Sequence, residues 1–107
     1  MSESRPIVVL VSAGSAENAE TIARTLVDER LAACVNILPG VRSIYRWQGR
    51  VADDSEWLLI VKTERRMFAA LAERVRALHT YEVAEVIALE IAEGSKAYLD
   101  WLAGEVG

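Results

Sequence analysis

The stretch WLLIVK, residues 57–62, decides the fold, because every position except the last is apolar. Successive side chains of a strand point to opposite faces of its sheet, so this strand is apolar on both faces. The run IVVLV, residues 7–11, has the same property. Helices that cover only one face of such a sheet leave the other face bare, and we expect the bare face to pack on other subunits.

Around these two strands, local signals predict the remaining elements. Ser15 is suited to cap a first helix that ends near Leu31, and Ser95 to cap a last helix through Leu102. Residues 33–47 are extended with a bend at Pro39-Gly40, residues 50–62 complete a long hairpin, residues 65–78 have helical spacing, and residues 83–91 form a fourth strand. The predicted fold class is α+β, a ferredoxin-like βαββαβ sandwich with an extra C-terminal helix.

The bulk properties limit the class of protein. The 107 residues suit one domain, residues 1–107 with a core of about 7–102. The net charge of −4 disfavours a nucleic-acid partner, and no apolar run is long enough to cross a membrane. Cys34, the single cysteine, suits a reducing compartment and a buried packing position, so we expect a cytoplasmic protein. No phosphate-binding loop, dinucleotide fingerprint or nucleophile motif is present, and we do not expect an enzyme.

The segment LHTYEVAEVIALEI, residues 78–91, contains the single histidine of the chain. With one His and one Cys, the chain cannot build a closed structural zinc site. In an extended strand, His79 and Glu85 would lie about 20 Å apart and Glu82 would point away from both. A metal site therefore needs carboxylates, a distant segment or a neighbouring subunit. The simpler interpretation is that His79 ends a helix, where an imidazolium interacts with the last carbonyls.

Several other polar and aromatic residues leave two interpretations open. Glu85 and Lys62 each end an apolar strand, where they either reach water or form a polar cluster at a cleft. The basic and aromatic residues of the hairpin suit a protected strand edge better than a nucleic-acid surface. Tyr98 and Trp101 are expected to be core or interface anchors.

Four segments carry a resemblance to a known family: RTLVDERLAACVNILPGVRSIYRWQGRV, DSEWLLIVKT, ALHTYEVAEVIAL and AYLDWL. In this order and at these separations they resemble the CutA family of divalent cation tolerance proteins, from Ile7 to Leu102. The resemblance implies a ferredoxin-like subunit in a tight homotrimer, similar in architecture to the PII signalling proteins. It implies no cofactor that is required for folding.

The resemblance also implies candidate site residues. His79 matches a histidine proposed as a copper ligand in bacterial relatives, whereas Ser12 stands where some members have a second ligand, a cysteine. Without that soft sulfur donor, Cu(II) or another divalent cation such as Zn(II) is the expected metal, with His79, Glu82 and Glu85 as candidate ligands. The resemblance further implies an intersubunit pocket, formed by Trp47, Lys62, Tyr81 and Glu85.

Three functions remain open at this level. The first is a metal-binding or metal-responsive trimer. The second is a PII-like sensor whose intersubunit clefts bind a small anion near Lys62. The third is a scaffold in which the trimer itself is the function. Gly14, Thr80 and Ala84 replace prolines that are typical of relatives, which should loosen the loops beside the cleft.

Overall fold

A computed structural model describes residues 4–107. Its elements are β1 Pro6–Ala13, α1 Ala16–Asp28, β2 Cys34–Trp47, β3 Arg50–Glu64, a 3₁₀ turn Arg65–Met67, α2 Phe68–Leu78, β4 Val86–Glu90 and α3 Lys96–Glu105. The four strands form one antiparallel sheet in the order β2-β3-β1-β4. This arrangement confirms the predicted α+β, ferredoxin-like fold with its additional C-terminal helix.

The helix starts follow the sequence signals, but the end of α1 does not. The Ser15 hydroxyl accepts a 3.0 Å hydrogen bond from the Asn18 amide, and the Ser95 hydroxyl caps α3. Helix α1 ends at Asp28, before the predicted end near Leu31, because Arg30 takes a left-handed conformation with φ 60°. A left-handed residue turns the chain out of the helix.

The fourth strand is also shorter than predicted, because it begins at Val86 rather than at residue 83. Pairing between β1 and β4 extends only from Ile7–Glu90 to Val11–Val86. The preceding residues bend across the end of β1, where side chains rather than ladder hydrogen bonds hold them. The predicted strand start at residue 83 is therefore wrong, and residues 79–85 do not alternate as they would in an extended strand.

The two sheet faces have different environments. One face carries Val9, Val11, Leu59 and Val61, all 0% exposed, and packs against α1 and α2. We call the opposite surface the open sheet face, formed by Val8, Leu10, Leu58, Ile60, Ile87 and Leu89. There Ile87 and Leu89 are 50% and 53% exposed. Both faces are thus apolar, as the sequence predicted.

The β2-β3 hairpin extends as an arm from the sheet, and the molecule measures 46 × 25 × 24 Å. A bulge between Leu38 and Val41 confirms the irregularity predicted at Pro39-Gly40. Gln48 and Gly49 make the tip turn with positive φ angles. Across the arm, the Arg42 guanidinium donates two hydrogen bonds to Asp53, of 2.9 and 2.7 Å.

The end of helix α3 and the residues after it are held through their backbone carbonyls. Arg30 donates hydrogen bonds to the carbonyls of Gly104 and Gly107. On this helix the rings of Tyr98 and Trp101 lie 5.5 Å apart and are 42% and 45% exposed, so neither is a core residue of the chain. Within residues 4–107, no helix is both long and apolar enough to cross a membrane.

Candidate functional site

A cleft of about 780 Å³ opens at one end of the open sheet face. It lies where the end of β1, the base of the arm and residues 80–85 meet. Three aromatic side chains, Tyr45, Trp47 and Tyr81, line it together with three carboxylates, Glu56, Glu82 and Glu85. Two aliphatic side chains, Ile44 and Val83, and four small ones complete the walls, the small ones being Ser12, Ser43, Thr80 and Ala84. Three of the four predicted pocket residues, Trp47, Tyr81 and Glu85, are therefore brought together in one chain.

Glu56 lies deepest among the carboxylates, with only 6% of its surface exposed. Its side chain is on the same face of β3 as Leu58 and Ile60, because residues two apart share a face. The Tyr81 hydroxyl donates a 2.6 Å hydrogen bond to Glu56 Oε2. Burial of the phenol, followed by this hydrogen bond and the nearby negative charges, raises the pKa of Tyr81 above its ordinary value. Tyr81 is therefore a neutral donor at physiological pH.

His79 holds Tyr81 in place from the other side. Its Nε2 lies 2.6 Å from the Ser12 carbonyl oxygen, and its Nδ1 accepts a 3.0 Å hydrogen bond from the Tyr81 amide. The two rings lie 4.7 Å apart. These contacts fit the tautomer that carries its proton on Nε2, because a carbonyl oxygen can only accept.

The predicted helix-end position of His79 is confirmed, since it follows α2 directly and its amide bonds to the Val75 carbonyl. The predicted ring contact is wrong, because the ring reaches β1 instead of the last carbonyls of α2. One of those carbonyls, that of Leu78, accepts a 3.1 Å hydrogen bond from the Asn18 side chain instead. His79 thus connects the end of α2 to β1 and to the wall of the cleft.

The candidate metal ligands do not form a chelating set within the chain. Both ring nitrogens of His79 are already in hydrogen bonds, which leaves no free lone pair for a metal. Across residues 4–107, no three His, Cys, Asp or Glu side chains are placed to hold one ion. Glu82 and Glu85 nevertheless line the same cleft, because the segment bends and Glu82 does not point away as it would in an extended strand.

Lys62, the fourth predicted pocket residue, does not line this cleft in the chain. It lies six positions along β3 from Glu56, about 20 Å away in an extended strand. There it hydrogen-bonds to Asn36 and pairs across the ladder with Cys34. Cys34 is half-buried rather than buried as predicted, and it lies beside the Tyr98 hydroxyl. Lys62 could therefore belong to the predicted pocket only if it came from a neighbouring subunit.

The cleft residues that the sequence analysis did not identify are Glu56 and Tyr45. Glu56 could have been found, because a carboxylate that alternates with Leu58 and Ile60 falls on an apolar face. Tyr45 donates a 2.5 Å hydrogen bond to Asp54 beside the cleft. Gly14 was identified beside the cleft only as a replacement for a proline, and the structure adds its close approach to Tyr81: a Cβ there would lie 2.7 Å from the Tyr81 hydroxyl oxygen.

All the charged side chains that line the cleft are carboxylates. Among residues 4–107, no lysine or arginine lines it. The ion pairs found among residues 4–107 join other carboxylates, so Glu56, Glu82 and Glu85 have no cation within 4.0 Å. Negative charge that is concentrated between partly apolar walls attracts cations and repels anions.

Fold and site together define a ferredoxin-like α+β domain with an acidic, aromatic-lined cleft at one end of a largely apolar sheet face. Comparison with known families then identifies the group of proteins. The chain belongs to the CutA1 divalent ion tolerance protein family, whose model matches residues 7–105.

Individual relatives support the same family assignment. The divalent-cation tolerance protein CutA of Thermus thermophilus is 60% identical over 100 residues, which cover 94% of this chain and 97% of that protein. Its solved structure superposes with a TM-score of 0.93 over 95% of this chain and 99% of that chain. The chloroplastic CutA of Arabidopsis thaliana is 51% identical over 90% of this chain, which spans only 53% of that relative. Of these two relatives, the Thermus protein carries divalent-cation tolerance in its name.

Proposed function

We propose that this protein is a non-catalytic, homotrimeric binding protein that contributes to divalent cation tolerance by holding cations in its clefts. The observation that carries the proposal is the acidic cleft, whose carboxylates lack any cationic partner in residues 4–107 and which opens on the open sheet face. This geometry supports binding of a cation better than binding of the anion expected for a PII-like sensor.

The trimer is supported by the apolar open sheet face. Ile87 and Leu89 are about half exposed and lie beside Val8 and Leu10 in the sheet. A contiguous apolar patch on a chain of 11.8 kDa is typical of a subunit interface. If neighbouring open faces pack together, each acidic cleft opens towards a neighbouring subunit, as expected for the predicted intersubunit pocket.

For a metal, Glu82 and Glu85 are the available ligands, because both are exposed on the cleft wall. Oxygen donors of this kind hold hydrated divalent cations loosely. His79 can become a ligand only if its ring leaves Ser12 or the Tyr81 amide. We therefore expect weak uptake of Cu(II) that depends on the carboxylates.

Native mass spectrometry of the tag-free protein during a Cu(II) titration tests both the proposed trimer and the proposed cation binding. We expect a trimer whose metal uptake falls in a Glu82→Gln/Glu85→Gln variant and is unchanged in Glu73→Gln, a change on the exposed surface of α2. A monomer would contradict the assembly, and a trimer that takes up no copper would contradict the metal role. Uptake that is lost only in His79→Ala would identify the ring as the ligand instead.

A further inference from the structure

Asn18 is a polar residue on the buried side of α1. It lies in the first turn of the helix and is 9% exposed, and the other buried residues of α1 are Ala19, Ile22, Ala23 and Leu26. Its Oδ1 is the one buried side-chain nitrogen or oxygen atom among residues 4–107 that has no hydrogen-bond partner. A buried acceptor without a donor lowers stability. Stability alone would therefore favour an aliphatic side chain at position 18.

The nitrogen of the same amide makes a long-range contact. Asn18 Nδ2 donates a 3.1 Å hydrogen bond to the Leu78 carbonyl, 60 positions away at the end of α2. That carbonyl and the His79 amide belong to one peptide group, and the His79 amide donates a 2.8 Å hydrogen bond to the Val75 carbonyl. The peptide group is thus held on both sides, at the point where the chain leaves the helix. It determines the direction in which residues 79–85 depart.

Residues 79–85 have few restraints of their own, because they contain no proline and form neither helix nor strand. The His79 ring lies against the Ser12 carbonyl and accepts the hydrogen bond of the Tyr81 amide. Both contacts require the His79 backbone to be in its observed position. The course of this segment along the cleft therefore depends on the peptide group that Asn18 holds.

We propose that Asn18 is a positioning residue, which fixes the peptide group before His79 and thereby sets the course of residues 79–85. Asn18 is not among the residues that line the cleft, so it acts through the Leu78 carbonyl. Its nitrogen holds that carbonyl, and its unpartnered oxygen lowers stability. The inference rests on the proposed function, because the positioned segment carries the candidate ligands Glu82 and Glu85.

Asn18→Leu tests the proposal, because it removes both ends of the amide and introduces a good helix former of similar size. The Leu78 carbonyl then finds a donor only in water, which requires the end of α2 to shift. Thr21→Leu introduces the same residue at an exposed position of the same helix and is the control. Asn18→Ala removes the amide without adding volume, and it serves as a second variant if leucine prevents folding.

Hydrogen exchange at single amides, measured on the metal-free protein in EDTA, is the first readout. We expect the Tyr81 amide to exchange about fivefold faster in Asn18→Leu than in the parent, because its hydrogen bond to His79 is weakened. The amides of the β1-β3 ladder and the urea midpoint should not follow, because removal of the unpartnered oxygen offsets the lost hydrogen bond. Thr21→Leu should exchange at Tyr81 as the parent does.

Two outcomes of the exchange experiment would overturn the proposal. One is a Tyr81 amide that exchanges equally in Asn18→Leu and in the parent. The other is faster exchange that the β1-β3 ladder shares together with a lower urea midpoint, because Asn18 then contributes only to overall stability.

The copper titration separates this inference from the proposed function. We expect Asn18→Leu to bind Cu(II) about tenfold more weakly than the parent, the size of effect typical of residues that orient metal ligands. Equal affinities would overturn the positioning role and leave the proposed function standing. A parent that takes up no Cu(II) would overturn the proposed function, and exchange at Tyr81 would still decide whether Asn18 positions the segment.

Discussion

The Tyr81 hydroxyl donates a 2.6 Å hydrogen bond to the Glu56 carboxylate, although 25 positions separate the two residues in the sequence. On the other side of Tyr81, its amide bonds to His79, whose ring reaches the Ser12 carbonyl. One connected set of polar contacts therefore runs from β1 through residues 79–81 to β3. The shape of the cleft depends on this set.

Removal of the Tyr81 hydroxyl should destabilise the protein. In Tyr81→Phe, Glu56 loses its one hydrogen bond in the described chain, and we expect the free energy of unfolding to fall by about 1–2 kcal/mol at neutral pH. Urea unfolding at fixed protein concentration measures the change. Tyr45→Phe is the control, because its bond to Asp54 is exposed to solvent and should contribute less. An unchanged midpoint in Tyr81→Phe would show that the bond does not contribute.

The same phenol should make stability depend on alkaline pH. Burial first, then the bond to Glu56, raises the pKa of Tyr81 above its unfolded value of about 10.0. Between these two pKa values the folded state holds one proton more than the unfolded state, so the free energy of unfolding falls as pH rises. The contribution of Tyr81 to the free energy of unfolding is fully present below pH 10. It is lost progressively as pH rises from there through the folded-state pKa.

Unfolding curves measured from neutral pH to above pH 10 should therefore decline more steeply for the parent than for Tyr81→Phe. Absorbance titration offers a second measurement. The chain has three tyrosines, and Tyr81→Phe should lose one tyrosine ionisation whose pKa is raised above the ordinary value. If the free energy of unfolding fell equally with pH in the parent and in Tyr81→Phe, Tyr81 would not be the source of the alkaline dependence.

Replacement of His79 should destabilise the protein even without a metal. His79→Ala removes the ring contacts to Ser12 and to the Tyr81 amide, and we expect a loss of about 1–3 kcal/mol. Chemical unfolding in the presence of EDTA measures the loss without metal. Thr80→Ala, an exposed neighbour, is the control. If EDTA made His79→Ala and the parent equally stable, metal binding rather than these hydrogen bonds would account for the role of His79.

A side chain at position 14 should displace Tyr81. In Gly14→Ala, the new Cβ would lie 2.7 Å from the Tyr81 hydroxyl oxygen and 3.0 Å from a ring carbon, so the ring must move away from Glu56. We expect the pKa of Tyr81 to fall towards its ordinary value and the free energy of unfolding to decrease by about 1–3 kcal/mol. Absorbance titration and urea unfolding measure these effects.

Gly104→Ala is the matched control, because a Cβ there meets no atom within 4 Å and the position lies in α3. Alanine is a better helix former than glycine, so this control should gain about 0.5–1 kcal/mol. A Gly14→Ala protein in which Tyr81 titrates as in the parent would show that the ring accommodates the methyl group without leaving Glu56.

Much of the fold could be predicted from local pattern. The continuous apolar run of residues 57–61, the Ser15 and Ser95 caps and the Pro39-Gly40 interruption each depend on near neighbours in the chain. The site was predictable only in part. Trp47, Tyr81 and Glu85 do line one cleft, but Lys62 lies at the far end of β3, and Glu56 went unnoticed.

The sequence by itself determined the order of helices and strands and the apolar character of both sheet faces, because side-chain periodicity and capping act over a few residues. Only the tertiary structure decided that Glu82 faces the cleft, that His79 contacts Ser12, and that Tyr81 reaches Glu56. These contacts depend on strand register and on a bend before β4. Both are set by packing between distant segments, and no local pattern records them.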